Sequence, residues 1–369
     1  MNILTTTAVL DKPDYYSVSA LKTYKRCGLE YYHKYIDKIN KFKMSTSTLL
    51  GNLLHDALEL YYSPDGTGLE TLKLCLYKTA EDTFRSTGVI PINTAYNLVD
   101  ELLNELYSLA NDVCNLHKRA DINYKGKDAI RKKDGGVSTS YQSTTAWKSA
   151  EKEIGGDNRR ARINYLIQYS INPNLDDVDV ISAYSEAVYI ADSFVNINNI
   201  KKVRHVELPF SQYDPYTGVV NNLVNIPNGD KLIHGFIDLV AEVSDGLAII
   251  DYKSSKTAYT EEQVRYNVQL YTYVYAYKCL TGEDVKYIGI YNIRAGNLVL
   301  VPLDTKLMNS TLNNFFKIHD AIKANIFIGH TPEDSYSPCL NCFGKSCAYI
   351  DICHPSNESD LLELYRLTT

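Results

Sequence analysis

The chain has 369 residues, 45% hydrophobic and 22% charged, a balance that argues against a disordered or membrane-embedded polypeptide and allows one large or two ordinary folded units. A formal net charge of −6 excludes coating of nucleic acid by bulk electrostatics, while leaving room for a local basic groove. No run approaches the length of a membrane span, and the opening "MNILTTTAVLDKPDYYS" lacks the basic start and long apolar segment of a signal peptide, so an intracellular protein with no membrane partner is expected.

In chain order, the first half reads as helical. "SVSALKTYKRCGLEYYHKYI" (17–36) starts on a Ser cap with apolar residues at three-four spacing, "STLLGNLLHDALELYY" (47–62) repeats the pattern, and 68–120 continues it. Residues 121–158, rich in Lys, Gly, Ser and Thr, read as a mobile insertion, a lid or strand-guiding loop or else a disordered stretch. Two basic runs, "KGKDAIRKKDGG" (125–136) and "NRRAR" (158–162), are either solvated faces or contacts for a phosphate backbone. A further helical stretch covers about 160–196.

Strand signals then take over at 201–212, 231–243 and 247–255. A helix follows over 260–282, with acidic residues in its first turn and Gly282 near its end. A hairpin is expected over 285–304 and a helix over 305–328. The tyrosines in "QLYTYVYAYK" stand at helical spacing, so packing is their default role. The resulting order is a helical region (1–200), a β-β-β-α-β core (201–330) and a cysteine-rich tail (331–369), a mixed α/β class.

The hairpin "GFIDLVAEVSDGLAIIDYKSS" (235–255) carries charges that strands ordinarily exclude. Asp245-Gly246 reads as a two-residue turn, which sets Asp251 opposite Val240 and Lys253 opposite Asp238. The period of two then puts Asp238, Asp251 and Lys253 on one face. Two carboxylates adjacent across a ladder suit Mg²⁺ or Mn²⁺, and a lysine beside them can orient a water or stabilise charge on a phosphate. The same pattern also fits an amphipathic hairpin with a solvated polar face. In the tail, "CLNCFGKSCAYIDIC" crowds Cys339, Cys342, Cys347 and Cys353 into fifteen residues, enough thiols to wrap Zn²⁺ or an iron-sulfur cluster.

Taken together, these segments resemble the RecB-like branch of the PD-(D/E)XK nucleases, and its iron-sulfur members such as the AddB recombination nuclease and the CRISPR adaptation nucleases. The opening helix with its lone Cys27, the histidine segment "GNLLHDALE", and "VELPF", "GFIDLV", "IIDYKSS" and "QLYTY" follow in the family's order. The resemblance implies a restriction-endonuclease-like sheet flanked by helices. His55, Asp238, Asp251 and the Tyr252 carbonyl would bind the metal, and Lys253 would assist the attacking hydroxide. Gln269 and Tyr273, as Q-x-x-x-Y, would position DNA or the lysine, and Glu207 would support the site. Cys27 would join the tail cysteines around a 4Fe-4S cluster. The family's closing C-x2-C-x5-C is not reproduced, since no triplet here has both spacings, so five cysteines compete for four places, and a local zinc site without Cys27 stays open.

The implied function is Mg²⁺- or Mn²⁺-dependent hydrolysis of DNA, as an exonuclease on single strands or free ends in phage recombination, replication, repair or end processing. No G-x-x-x-x-G-K-[ST] segment occurs, so a helicase or recombination partner would have to supply any motor. The alternatives are a catalytically silent DNA-binding module on the same fold and a zinc-stapled interaction protein.

Overall fold

The computed structural model describes residues 3–5, 15–39, 41, 45–63, 71–86, 101, 103–112, 115, 180–194, 196–197, 199–214, 216–227, 229–331, 337–339 and 346–354. The expected insertion at 121–158, both basic runs, the stretch 160–179 and Cys342 lie outside these residues.

A mixed sheet organises the chain. Its order is β2 (Tyr15–Ser17), β6 (Leu232–Glu242), β7 (Leu247–Lys253), β8 (Tyr287–Asn292) and β9 (Asn297–Pro302). β3 (Lys202–Phe210) joins β2 along the same edge of β6: β2 runs parallel to Leu232–His234, and β3 antiparallel to Gly235–Glu242. β7 and β8 are parallel, and the chain crosses between them through α6 (Glu261–Arg265) and α7 (Val268–Thr281). The single helix expected over 260–282 is therefore two. Thr260 and Gln263 form a reciprocal cap on α6, and Asn267 interrupts the helix to accept the Gln269 and Leu270 N–H groups at 2.9 and 3.4 Å. Gly282, at φ 76°, ends α7 in the left-handed conformation that an L side chain resists.

Helices cover both faces. On one, α3 (Thr46–Tyr62), α4 (Leu72–Ser86), helical residues 103–112 and α5 (Val180–Asp192) bury Leu53, Leu76, Leu106 and Val188 against Leu239, Ala248 and Ile250. On the other, α1 (Val18–Arg26), α7 and α8 (Thr305–Lys323) bury Leu21, Leu270, Val274 and Phe315 against Val240, Ile249 and Ile288. The tyrosines of α7 pack as expected. Tyr271 and Tyr277 are buried, with hydroxyls satisfied by the Arg265 carbonyl and the Glu283 carboxylate.

Three elements differ from the sequence reading. The first helix, expected unbroken over 17–36, stops at Cys27, which is extended, and resumes as α2 (Gly28–Tyr31) and a π turn (Tyr32–Ile36). The break follows from β10 (Ile326–Ile328), whose backbone passes so close that a Cβ on Gly28 would lie 2.4 Å from the Ile328 nitrogen. β10 itself falls where the sequence pattern places the end of a helix, but it pairs antiparallel with β1 (Ile3–Thr5). Between β3 and β6 stands an unanticipated small hairpin, β4 (Gln212–Asp214) with β5 (Val219–Asn221), whose turn is held by the Asp214 carboxylate and Gly218 at φ 71°.

The β6–β7 turn also differs. The observed pairs are Leu239↔Ile250 through Glu242↔Leu247, so the loop has four residues and not two, closed by Val243 N–H donating to Gly246 O at 3.0 Å. Asp245 is held by Lys286 and Tyr287 at the start of β8, contacts that local turn signals do not encode. The register slides by two. Because side chains alternate with period two, the faces survive and only the partners change: continued by one residue, the register sets Asp238 against Asp251, not against Lys253.

Candidate active site

The site lies where the sheet opens. The β6–β7 ladder ends at Leu239↔Ile250, yet β7 runs on to Lys253 paired only with β8. In the gap, the Tyr252 N–H donates to the Asp238 carboxylate at 2.8 Å, so a side chain replaces the next backbone acceptor. Asp238 is thereby fixed between the two faces, where residues of helices on both sides can meet it.

From the α3 face comes His55. Its Nε2 lies 3.1 Å from Asp238 Oδ2 and its Nδ1 3.3 Å from Glu207 Oε1, and these three residues form a ligand group compact enough for one ion. Gly51, one turn earlier on α3, makes the approach short: a Cβ there would meet Ser254 Oγ at 3.3 Å. Glu207 stands at φ 46°, a strained conformation for a residue with a Cβ, and the strain aims its carboxylate at His55. Burial pushes the Glu207 carboxyl up to about 8, with His55 opposing and Asp238 adding to the rise. On His55 burial works against charge, but the hydrogen bond to Asp238 and the neighbouring carboxylates outweigh it and raise the imidazole to about 9. The His55 ring thus stands between two carboxylates, with Asp238 the hydrogen-bonded one, and a ring nitrogen that ligates an ion would first give up its proton.

β7 contributes the other half. Asp251 is fully buried, and both its oxygens lack a well-aligned hydrogen bond among the described residues, although Lys253 pairs with it as an ion. Burial pushes the Asp251 carboxyl up against the pull of Lys253. Burial alone would lower Lys253, but Asp251 and Asp238 outweigh it and raise it. From the α7 face, Gln269 donates to the Tyr273 hydroxyl at 2.6 Å, and the ring hydroxyl lies in the field of Asp238 and Asp251. Tyr252 enters the site through its N–H.

The sequence alone ranks Glu207 below its neighbours, whereas it belongs to the compact ligand group. Sequence reasoning also misses Lys22. That lysine reaches from α1 to donate to Gln269 Oε1 at 3.0 Å, on the face opposite His55. Its one signal is a charge on the helix that carries Cys27.

The donor set fits a divalent ion: hard carboxylate oxygens, one imidazole, and buried Asp251 oxygens with no well-aligned hydrogen bond among the described residues. With the half-buried ammonium of Lys253 beside them, these groups have the composition of a phosphodiester-cleaving centre. A model of the PD-(D/E)XK nuclease superfamily matches residues 15–115 and 191–354, and the chain belongs to that superfamily. It is also similar to an ATP-dependent helicase/nuclease subunit of Clostridium botulinum (strain Kyoto / Type A2), 30% identical over 161 residues, 42% of this chain and 12% of the relative. The protein of the same name from Lacticaseibacillus casei is 34% identical over 96 residues, 26% of this chain and 8% of the relative. The chain thus spans about a tenth of the length of these relatives.

A second group of ionisable side chains lies apart from this one. Cys27 and Cys339 are buried, and Cys347 and Cys353 half-buried. Burial pushes the Cys27 thiol up, with the backbone N–H groups of Glu30, His330 and Leu29 opposing the rise in part. Burial pushes the Cys353 thiol up to about 12, and Cys27, Cys347 and Cys339 add to the rise, so four thiols share one neighbourhood. His330 bonds the Arg26 carbonyl at 3.0 Å, and Tyr349 donates to the Ile39 carbonyl at 2.9 Å, which ties this segment to the first helices.

Proposed function

We propose that the protein is a divalent-metal-dependent deoxyribonuclease, acting on single strands or free ends, whose C-terminal segment is stapled to the first helices by a 4Fe-4S cluster. The observation that carries the nuclease reading is the opened β6–β7 ladder, with Asp238 between His55 and Tyr252 and the buried, Lys253-paired carboxylate of Asp251 beside it. Asp238, Asp251 and His55 would hold Mg²⁺ or Mn²⁺, with Glu207 and the Tyr252 carbonyl completing the set. The bound ion supplies Lewis-acid polarisation of the phosphate and a more acidic water.

The protein's own groups do the rest. Lys253, held by Asp251, keeps its proton and presents an ammonium to the charge that grows on the phosphate. Gln269 and Tyr273, locked to each other, give the α7 wall of the site a fixed hydroxyl facing the carboxylates. Glu207 holds the second nitrogen of His55 and so fixes the ring plane. The words helicase and nuclease in the relatives' name support DNA as the substrate class. The deciding measurement is digestion of end-labelled single- and double-stranded DNA with Mg²⁺ or Mn²⁺. Metal-dependent cleavage that is faster on ends than on closed circles is expected, and binding without cleavage under every metal would make the chain a silent DNA-binding module.

For the thiol group, the closeness of Cys27 to the tail cysteines Cys339, Cys347 and Cys353 supports a centre shared with the first helices over a local zinc site in the tail. Cys27, Cys339, Cys342, Cys347 and Cys353 offer five thiols for four places, of which Cys27, Cys339, Cys347 and Cys353 share one neighbourhood among the described residues. Such a centre would join positions more than three hundred residues apart, a structural role and not a redox one.

A further inference from the structure

A cation that only tied two helices together would ordinarily meet a carboxylate. Lys22 does not. Its one hydrogen bond among the described residues goes to a neutral acceptor, Gln269 Oε1 at 3.0 Å, and it is half-buried on the α1 side of the opened ladder. An ammonium has three donors, so two remain unused. Burial first, and then the like charge of Lys253, pull its pKa below the usual lysine value, with Asp251 opposing in part. The chain therefore holds a second positive charge in the active site at a cost, and among the described residues no buried anion is dedicated to it.

The relay runs Lys22 to Gln269 to Tyr273, and Tyr273 feels Asp238 and Asp251. Lys22 thus stands two side chains beyond Tyr273 along this relay, on the face opposite His55, and still feels Asp251 and Lys253. Building on the nuclease reading, we infer that Lys22 binds the phosphate next to the scissile one on the strand being cut, while Gln269 holds its ammonium in place. Lys253 then meets the reacting phosphate and Lys22 its neighbour. Two successive phosphates gripped from two elements fix the register of the strand against the carboxylates. The recognition is of backbone charge and carries no sequence information.

The test separates charge from tie. Lys22→Gln can still reach Gln269 with an amide but has no charge, and Lys22→Arg keeps the charge. Binding of a fluorescent oligonucleotide is measured by anisotropy on dialysed protein without added divalent ion, over about 50 to 300 mM KCl, a range in which phosphate contacts dominate the salt dependence. For Lys22→Gln we expect several-fold weaker binding and a log K against log salt slope smaller by about 0.7 on single strands or 0.9 on duplex. Lys22→Arg restores the slope. With metal added, the loss in cleavage by Lys22→Gln is expected mainly in KM, with a smaller loss in the single-turnover rate at saturating DNA that reports the register Lys22 fixes. A Lys22→Gln protein with wild-type affinity and slope, or one whose defect Lys22→Arg does not repair, reduces Lys22 to a helix tie. Wild-type protein that binds no DNA overturns both readings. Slopes as expected in a protein that never cleaves support the phosphate contact and overturn the nuclease reading alone.

Discussion

The hairpin pocket and the thiol group both hold ionisable side chains away from water, but they are assembled by different means. In the pocket, most of the charge comes from two neighbouring strands, and Asp238, Asp251 and Lys253 are brought together by local register. The thiol group gathers Cys27 with residues at 339, 347 and 353, so nothing local draws it together. The pocket also contains its own countercharges, with His55 between two carboxylates and Lys253 on Asp251. The thiol group would instead be held as thiolates by the proposed soft metal. The contrast teaches that the pocket can be emptied of function without loss of fold, whereas the thiol group can lose fold before function.

The largest expected effect breaks the pocket. Asp251→Asn and Lys253→Ala should each lower metal-dependent cleavage by about a thousandfold or more, since both act on charge that develops in the transition state. Circular dichroism and the melting temperature should stay near those of the wild type. Cleavage at the wild-type rate by the double variant would remove the active-site assignment.

Next comes the opposite experiment. Cys27→Ser and Cys353→Ser should lose iron and the absorbance near about 400 nm that marks an iron-sulfur centre, and should melt several degrees lower while still cleaving DNA in the cold. Among Cys339→Ser, Cys342→Ser and Cys347→Ser, one variant should keep both iron and colour, because a four-thiolate cluster has no place for a fifth ligand. If Cys27→Ser retained full metal content while every tail variant lost it, a local zinc site would replace the shared cluster.

Gly28→Ala sharpens the comparison without touching a ligand. Its new Cβ would fall 2.4 Å from the Ile328 nitrogen and 2.8 Å from the Ile328 oxygen, both backbone atoms that cannot rotate away. A loss of about 1 to 3 kcal/mol in denaturant unfolding is expected for overpacking of this kind, with cleavage per folded molecule unchanged. An unaltered midpoint would mean that β10 can move off α2. The smallest effect should come from Tyr273→Phe, which deletes the hydroxyl that accepts from Gln269. A cost of about 1 kcal/mol is expected in kcat/KM, with little change in melting, and a hundredfold loss would give that hydroxyl a direct part in the chemistry.

Much of the site is legible in the sequence because alternation along a strand is robust. The turn between β6 and β7 is two residues longer than its Asp-Gly signal implies, yet Asp238, Asp251 and Lys253 still share a face, since a slip of two preserves parity. The actual loop length depends on Asp245 being drawn to Lys286 and Tyr287, residues some forty positions away. Helix α7 is recognisable by its spacing, but its separation from α6 rests on Asn267 turning its side chain onto the next N–H groups. The β4–β5 hairpin escapes the sequence reading although Asp214 and Gly218 carry ordinary turn chemistry.

By itself, then, the sequence determined the residue types, their faces and the helical or extended character of most segments, because those follow from local sterics and hydrophobic period. The tertiary structure alone decided that the first helix breaks at Cys27, that Glu207 takes a strained backbone to face His55, and that the sheet parts at Asp238. Each of these costs free energy locally and persists because distant backbone or charge compensates: Ile328 against Gly28, the His55 ring between Glu207 and Asp238, and the Tyr252 N–H on a carboxylate. Lys22 belongs with them, a surface-like lysine in the sequence that becomes part of the site only when α1 is laid beside α7.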